Sequence, residues 1–336
     1  MDISVTLPTM GNNLSSLRKT LYSLSTQSHD DFKLIIILPK NYGSTDSIKA
    51  LLENKALDFD LIRQTGYGFE NAMNSALNST RDININIDDD AIYYKDHIEN
   101  YIKRFERGKY GVISGIVNGK PSYANRTKYL LFLNRLSNGT PISNNLRGYE
   151  TYINSSGFLT SNFLQFLSRK ALKKSIFPVG VNFGWIGEIA RNFRLIEYSK
   201  KGTLNETYLS FHAVKMGLDA IVCKGLDVKH EHTTTSLSSS EGPSDDLLKL
   251  VEFYFSPLIL ETVEVDIEPI DNLVRIVKSI PFERSISRFL PLLLERVKTG
   301  IQENWDSSKV QKEYGLILRQ ISSGDFLTCS KQNNRG

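Results

Sequence analysis

The stretch Ile83-Asn84-Ile85-Asn86-Ile87-Asp88-Asp89-Asp90 constrains the fold more than any other in this chain. Isoleucines at 83, 85 and 87 alternate with asparagines, the two-residue period of a strand with one buried face. That strand runs straight into three consecutive carboxylates, which repel one another and gain nothing from an apolar core. A nearby cation relieves the repulsion. Strand-end carboxylates suit a hard divalent ion, Mg²⁺ or Mn²⁺, which takes oxygen ligands and shares them with phosphates. A solvated acidic turn is the other reading of three aspartates, and the neighbouring sequence has to decide between them.

Upstream, strand and helix patterns alternate. Ile3 to Leu7 reads as a strand ended by Pro8-Thr9, and a helix follows with Leu14, Leu17, Leu21 and Leu24 on one stripe and Asn13 as N-cap. Lys33 to Leu38 is a continuous apolar run, as in a strand covered on both faces of a parallel sheet. Ile48 to Asn54 reads as helix, Phe59 to Arg63 as strand, and Phe69 to Leu77 as a helix behind the Gly66-Tyr67-Gly68 turn. This order predicts an open, doubly wound α/β sheet whose ligands lie at the carboxyl ends of its strands, where the three aspartates fall. Further on, the patterns predict a helix over 98–107, strands over 111–117, 159–166, 195–198, 220–223 and 226–232, a short basic helix over 169–174, and a helix from Glu206 to a Gly217 cap.

The bulk properties exclude several classes. At 336 residues, 40% hydrophobic and 23% charged, the chain is an ordinary globular one. A net charge of +4 suits anionic ligands and is too small to argue for nucleic acid. Cys223 and Cys329 form no CxxC, which favours a reducing compartment without structural zinc. Met1 to Val5 enters a strand with no basic leader, and no apolar run is long enough to span a bilayer, so a cytoplasmic location is expected. Residues 233–244 are polar and Ser/Thr-rich, a linker or lid. From Asp245 to Gly336 the chain reads as a helical appendage to a domain covering residues 1–240. Its apolar stretches, such as Arg284 to Val297, serve packing, oligomerisation, or peripheral contact with a membrane face.

Four pieces of sequence together resemble the inverting glycosyltransferases of family 2, which have the GT-A fold. They are Ile3-Ser4-Val5-Thr6-Leu7-Pro8-Thr9 with its following helix to Gln27, Gly66-Tyr67-Gly68-Phe69-Glu70-Asn71-Ala72-Met73-Asn74, Ile87-Asp88-Asp89-Asp90, and Asn205-Glu206-Thr207-Tyr208-Leu209 running to Gly217. His230 and His232 follow, and many family members carry a late histidine. The resemblance covers residues 1–235. It implies a nucleotide-sugar donor, a glycan or lipid-linked acceptor, and Mn²⁺ or Mg²⁺. Asp90 and a late imidazole, His230 in preference to His232, would hold the metal. Pro8, Thr9, Asn41, Gly68, Asp88 and Asp89 would border the donor. Gly184, Trp185 and Glu188, in a stretch similar to the family's "GGFDE" turn, would meet the acceptor.

The chemistry asks for the same groups. Displacing a nucleoside diphosphate needs its charge neutralised, and inversion needs one base to take the acceptor's proton. Glu206 stands where the family has the second acid of its "ED" pair, and Glu188 is in reserve; a carboxylate at a helix start is also an ordinary capping feature. The chain departs from the family at Leu38-Pro39-Lys40-Asn41-Tyr42, where an Asp pair is usual, and at Gly66, Met73 and His212. Base recognition therefore differs, and uridine cannot be assumed. Two rival readings are a synthase loading sugar onto a polyprenyl phosphate and a degenerate, non-catalytic sugar-nucleotide or glycan-binding module.

Overall fold

The computed structural model describes residues 1–53, 55–117, 125–137, 139–161, 172–197, 202, 204–230, 243–260, 264–279 and 284–323. Its strands are β1 (Ile3–Pro8), β2 (Lys33–Leu38), β3 (Asp58–Arg63), β4 (Ile83–Ile87), β5 (Ala91–Tyr93), β6 (Tyr110–Ser114), β7 (Thr151–Ile153), β8 (Leu159–Ser161), β9 (Leu172–Lys174), β10 (Asn182–Ile186), β11 (Asp219–Cys223) and β12 (Val228–His230). Eight of them form one sheet in the order β3-β2-β1-β4-β10-β6-β11-β9. Its pairs are parallel except those made by β10 and β9, which run antiparallel to their neighbours. This mostly parallel sheet, flanked by helices, is the open doubly wound α/β arrangement expected from the sequence.

Strand β2 shows why both faces are covered. Leu34, Ile36 and Leu38 join an apolar cluster with the helices Leu14–Ser25, Asp46–Leu52 and His97–Arg107, while Ile35 and Ile37 join the cluster on the opposite face. Asn13 caps the first helix as expected, its Oδ1 accepting from Ser16 N at 3.2 Å.

The alternation in β4 misleads about burial. Ile83, Ile85 and Ile87 are buried, but so are Asn84 and Asn86, at 0% and 1% exposure. The asparagine face is tolerated because β1 supplies hydroxyls in register. Ser4 Oγ donates to Asn84 Oδ1 at 2.8 Å, Asn84 Nδ2 to Thr6 Oγ1 at 2.9 Å, and Thr6 Oγ1 to Asn86 Oδ1 at 3.2 Å. A buried amide costs little once its donors and acceptors are matched.

The other departures are local. Residues 172–174 of the expected basic helix form β9, paired to the edge of the sheet at β11. Residues 195–197 of an expected strand are irregular. Residues 182–186, expected as a turn, are the central strand β10. The expected linker falls outside the described residues up to 242, and Pro243 starts a helix. From there the helices Pro243–Tyr254, Ser256–Ile259, Glu268–Ser279, Arg284–Gln302 and Ser307–Ser323 follow. Phe255, Leu290, Leu294 and Val297 are buried in the same cluster as Trp185 and Leu209, so the apolar stripe of the long helix faces inward. Leu292 is its exposed large apolar residue. Tyr314 O–H donates to buried Glu252 Oε1 at 2.7 Å, tying the last helix to the first of this group. Among the described residues no helix is long and apolar enough to cross a membrane.

Candidate active site

The carboxyl ends of β1, β2, β3 and β4 lie along one edge of the sheet, and Asp88, Asp89 and Asp90 leave that edge directly after β4. A small antiparallel ribbon then folds over it. Strand β12 pairs with β5 in a register that puts His230 opposite Ala91, next to Asp90. His230 Nε2 lies 2.8 Å from Asp90 Oδ1. Ligand atoms of Asp88, Asp90 and His230 all fall within 4.8 Å of one another. Two carboxylate oxygens and an imidazole nitrogen could hold a divalent cation, the imidazole fitting a transition ion such as Mn²⁺ better than Mg²⁺. His232 lies outside the described residues.

Each aspartate is held differently. Thr9 Oγ1 donates to Asp89 and accepts from Gly11 N–H at 2.9 Å, so the turn after Pro8 fixes that carboxylate. Asp88 N–H donates to Tyr93 Oη at 3.0 Å, and Tyr93 O–H donates to Val181 O at 3.0 Å, linking β4, β5 and the lead into β10. Burial pushes the Asp88 carboxyl up to about 7, aided by the charges of Asp90 and Asp89 and opposed by His230. Burial likewise raises Asp89, and the Thr9 hydroxyl works against it. For His230, burial favours the neutral ring, but the hydrogen bond to Asp90 and the surrounding carboxylates outweigh it and raise its pKa.

Glu206 reaches the same space from another element. It is half-buried in the first turn of the helix Asn205–Lys215, and its Oε1 occupies the room that a side chain on Gly180 would need. Gly180 O in turn lies 3.5 Å from Asn86 Nδ2, at the end of the polar file through β1 and β4. Burial, supplemented by the charge of Asp88, pushes the Glu206 carboxyl up to about 7. The helix starts after Leu204, a buried residue at φ 74 with no side-chain cap. A left-handed leucine is sterically disfavoured, so packing must hold this corner in place.

The residues expected to border a donor are brought together in part. Asn41 Nδ2 donates to Tyr67 Oη at 3.1 Å, and Lys40 Nζ lies 5.6 Å from the Tyr67 ring centroid. Tyr67 is 67% exposed, an aromatic face left open between β2 and β3 at the ligand edge. Gly68, at φ 87, turns the chain into the helix Phe69–Asn78. Sequence reasoning missed Tyr67, Tyr93, Gly180 and Asn86; an aromatic in a Gly-x-Gly turn after a strand was a usable signal for Tyr67 alone.

The acceptor residues expected at 184–188 do not join this site. Because β10 is antiparallel to β4, Asn182 sits opposite Ile87 and Ile186 opposite Ile83. Trp185, Gly184 and Glu188 are therefore carried away from the aspartates, and Glu188 lies beyond the far end of a strand about 13 Å long. Trp185 is wholly buried, its ring against Phe183 and its Nε1–H donating to Thr80 Oγ1 at 2.9 Å. Gly184 is packed against Asn84 O and the Tyr101 ring. The end of this segment that meets the site is Gly180-Val181-Asn182.

Residues 4–174, just over half of the chain, match the family model of glycosyl transferase family 2. The chain belongs to that family, and it is a glycosyltransferase. Among solved structures, it resembles the mannosyltransferase PcManGT from Pyrobaculum calidifontis in complex with GDP-Man and Mn²⁺. There the TM-score is 0.52 at 12% identity, over 97% of this chain and 86% of that one. It also resembles residues 1–349 of TarS from S. aureus, with a TM-score of 0.49 at 13% identity over 96% and 92% of the two chains. No curated protein sequence matches it.

Proposed function

We propose that this protein is a metal-dependent inverting glycosyltransferase that moves a sugar from a nucleoside-diphosphate donor to a hydroxyl acceptor. The carrying observation is a half-buried carboxyl, Glu206, pushed up to about 7 by burial and by the charge of Asp88, which itself belongs to a cluster with Asp90 and His230. A base works best with a pKa near the operating pH, and Glu206 has one. Asp90 and His230, with Asp88, would hold the ion. A bound divalent cation supplies charge neutralisation for the departing diphosphate.

The residues divide the remaining work. Thr9 and Asp89 border the donor beside β1. Lys40, Asn41 and Tyr67 offer the base an aromatic face, an amide and a cation in place of a carboxylate. Glu206 takes the acceptor hydroxyl proton as its oxygen attacks the anomeric carbon, and the bond to the diphosphate breaks on the opposite side. A sugar nucleotide with a divalent ion is also what the Pyrobaculum mannosyltransferase binds. A polyprenyl-phosphate acceptor would have little use for such a base, so a hydroxyl acceptor is preferred. Residues 1–240 would form the transferase unit and 245–336 its helical support.

The experiment is thermal unfolding with UDP, GDP and dTDP and their sugars, each with Mn²⁺, Mg²⁺ or EDTA. One nucleotide should raise Tm only with metal present, as a ligand in excess of its Kd must. No metal-linked shift with any of the donors would overturn the reading.

A further inference from the structure

The chain enters β10 through a tight turn. Asn182 N–H donates to Val179 O at 2.9 Å, which puts Gly180 and Val181 at the corners. Three other elements hold this turn. Val179 N–H donates to Ser114 Oγ on β6 at 2.9 Å, and Tyr93 O–H on β5 donates to Val181 O at 3.0 Å. Tyr101 O–H, from the helix His97–Arg107, donates to Asn182 Oδ1 at 2.8 Å. Ser114, Tyr93, Tyr101 and Asn182 are all buried, so giving up any of these bonds would strand a polar group away from water.

Gly180 is not needed for the turn's conformation, because its φ lies outside the left-handed region. Space is what requires it. Among the described residues, only the Glu206 carboxyl comes within 4 Å of where a Cβ on Gly180 would stand, with Oε1 at 2.5 Å and Cδ at 3.3 Å. A methyl group and an oxygen touch at about 3.5 Å, so one of the two must yield by about 1 Å. The turn is bonded on three sides, whereas the carboxyl is the far end of a half-buried side chain. The carboxyl is the part that moves.

The same turn also meets the aspartates. Tyr93 Oη, while donating to Val181 O, accepts from Asp88 N–H at 3.0 Å. One corner of the turn is thus tied to the start of the carboxylate cluster, and the neighbouring corner abuts Glu206.

We propose that Gly180 is a positioning residue for glycosyl transfer. Its bare α-carbon is the notch in which the Glu206 carboxyl rests, so the base takes its place relative to Asp88 from one rigid turn. The inference rests on the reading of Glu206 as the base, and Gly180 acts only through it. A misplacement of about 1 Å can cost about 10²-fold in rate, so a single methyl group here is enough to matter.

The test is a variant cycle on the intact protein, Gly180→Ala with and without Glu206→Ala. It is read by crystallography and by nucleoside diphosphate released from UDP-GlcNAc, GDP-Man and dTDP-glucose with Mn²⁺. In Gly180→Ala crystals, residues 179–182 should superpose within about 0.5 Å while the Glu206 carboxyl shifts by about 1 Å or more. Tm should stay within about 3 °C. The kcat should fall about 10–100-fold, with donor KM changed by less than about twofold. In the Glu206→Ala background the same substitution should change kcat by less than about twofold. The proposal is overturned if the carboxyl keeps its place and the turn gives way. It also falls if Gly180→Ala costs the same factor without Glu206, which would make the notch room for substrate instead. Full turnover by Glu206→Ala alone is the separate result that removes the base reading, and this inference with it.

Discussion

A carboxyl that titrates near neutrality makes Glu206 readable by pH. It must be ionised to accept a proton, so transfer should rise as pH climbs through about 7, and Glu206→Gln should lose roughly 10²–10⁴ in kcat while donor affinity is kept. Steady-state rates and donor titrations on both proteins separate these effects; a variant that turns over normally removes Glu206 as the base. The stability sign runs the other way. The folded carboxyl binds its proton more tightly than an unfolded one near 4.5, so the cost is nil below about 4.5, builds as pH rises, and is complete above about 7. Glu206→Gln should therefore gain up to about 3 kcal/mol over the unaltered protein at pH 8 and little at pH 4, by urea unfolding at each pH. At the cluster of Asp88, Asp90 and His230, Asp90→Ala should abolish metal-dependent stabilisation. With Asp88 pushed up to about 7, protons should compete with Mn²⁺ below that pH, which titration at pH 6 and 8 would reveal.

Strand β4 carries its own prediction. Asn84→Leu adds apolar bulk and removes the amide that pairs with Ser4 and Thr6, which keep their bonds to Ile83 O and Asn86; each lost buried hydrogen bond costs about 0.5–1.5 kcal/mol and the overpacking about 1–3 kcal/mol more. Chemical denaturation should show a loss of roughly 2–5 kcal/mol. Replacing Ser4 and Thr6 by apolar residues in the same chain should restore part of it, whereas an exposed asparagine would show neither effect. The same strand shows where local sequence is informative. The three aspartates, Glu206 and His230 are residue types with chemistry of their own, set beside strand and helix ends, and the fold brings them together as their order suggests. The burial of the asparagines depends on hydroxyls about 80 positions upstream, which no periodicity within β4 encodes. Trp185 failed for a related reason. Its strand inserts antiparallel between β4 and β6, so direction and pairing partner, neither written locally, decide which end meets the site.

At the scale of the molecule, the helices after Pro243 share one apolar cluster with the helix that carries Glu206. Removing residues 243–336 should expose Phe158, which packs against Tyr254, leave buried Asn134 without the Tyr254 hydroxyl, and yield insoluble protein. A truncated chain that stays soluble and binds donor would make the helical region a detachable support. The path of the chain also sets a timetable. Strands β1, β2 and β4 pair within the first 90 residues, but Asp90 meets His230 across 140 positions, and Gly180 and Glu206 come together only with β10 in place. Contacts of such separation form late, because the loop they close must first be ordered. A chain still emerging from the ribosome thus carries its three aspartates before Glu206 and His230 have been made. The site is then complete only once the chain through His230, about two-thirds of its length, has folded.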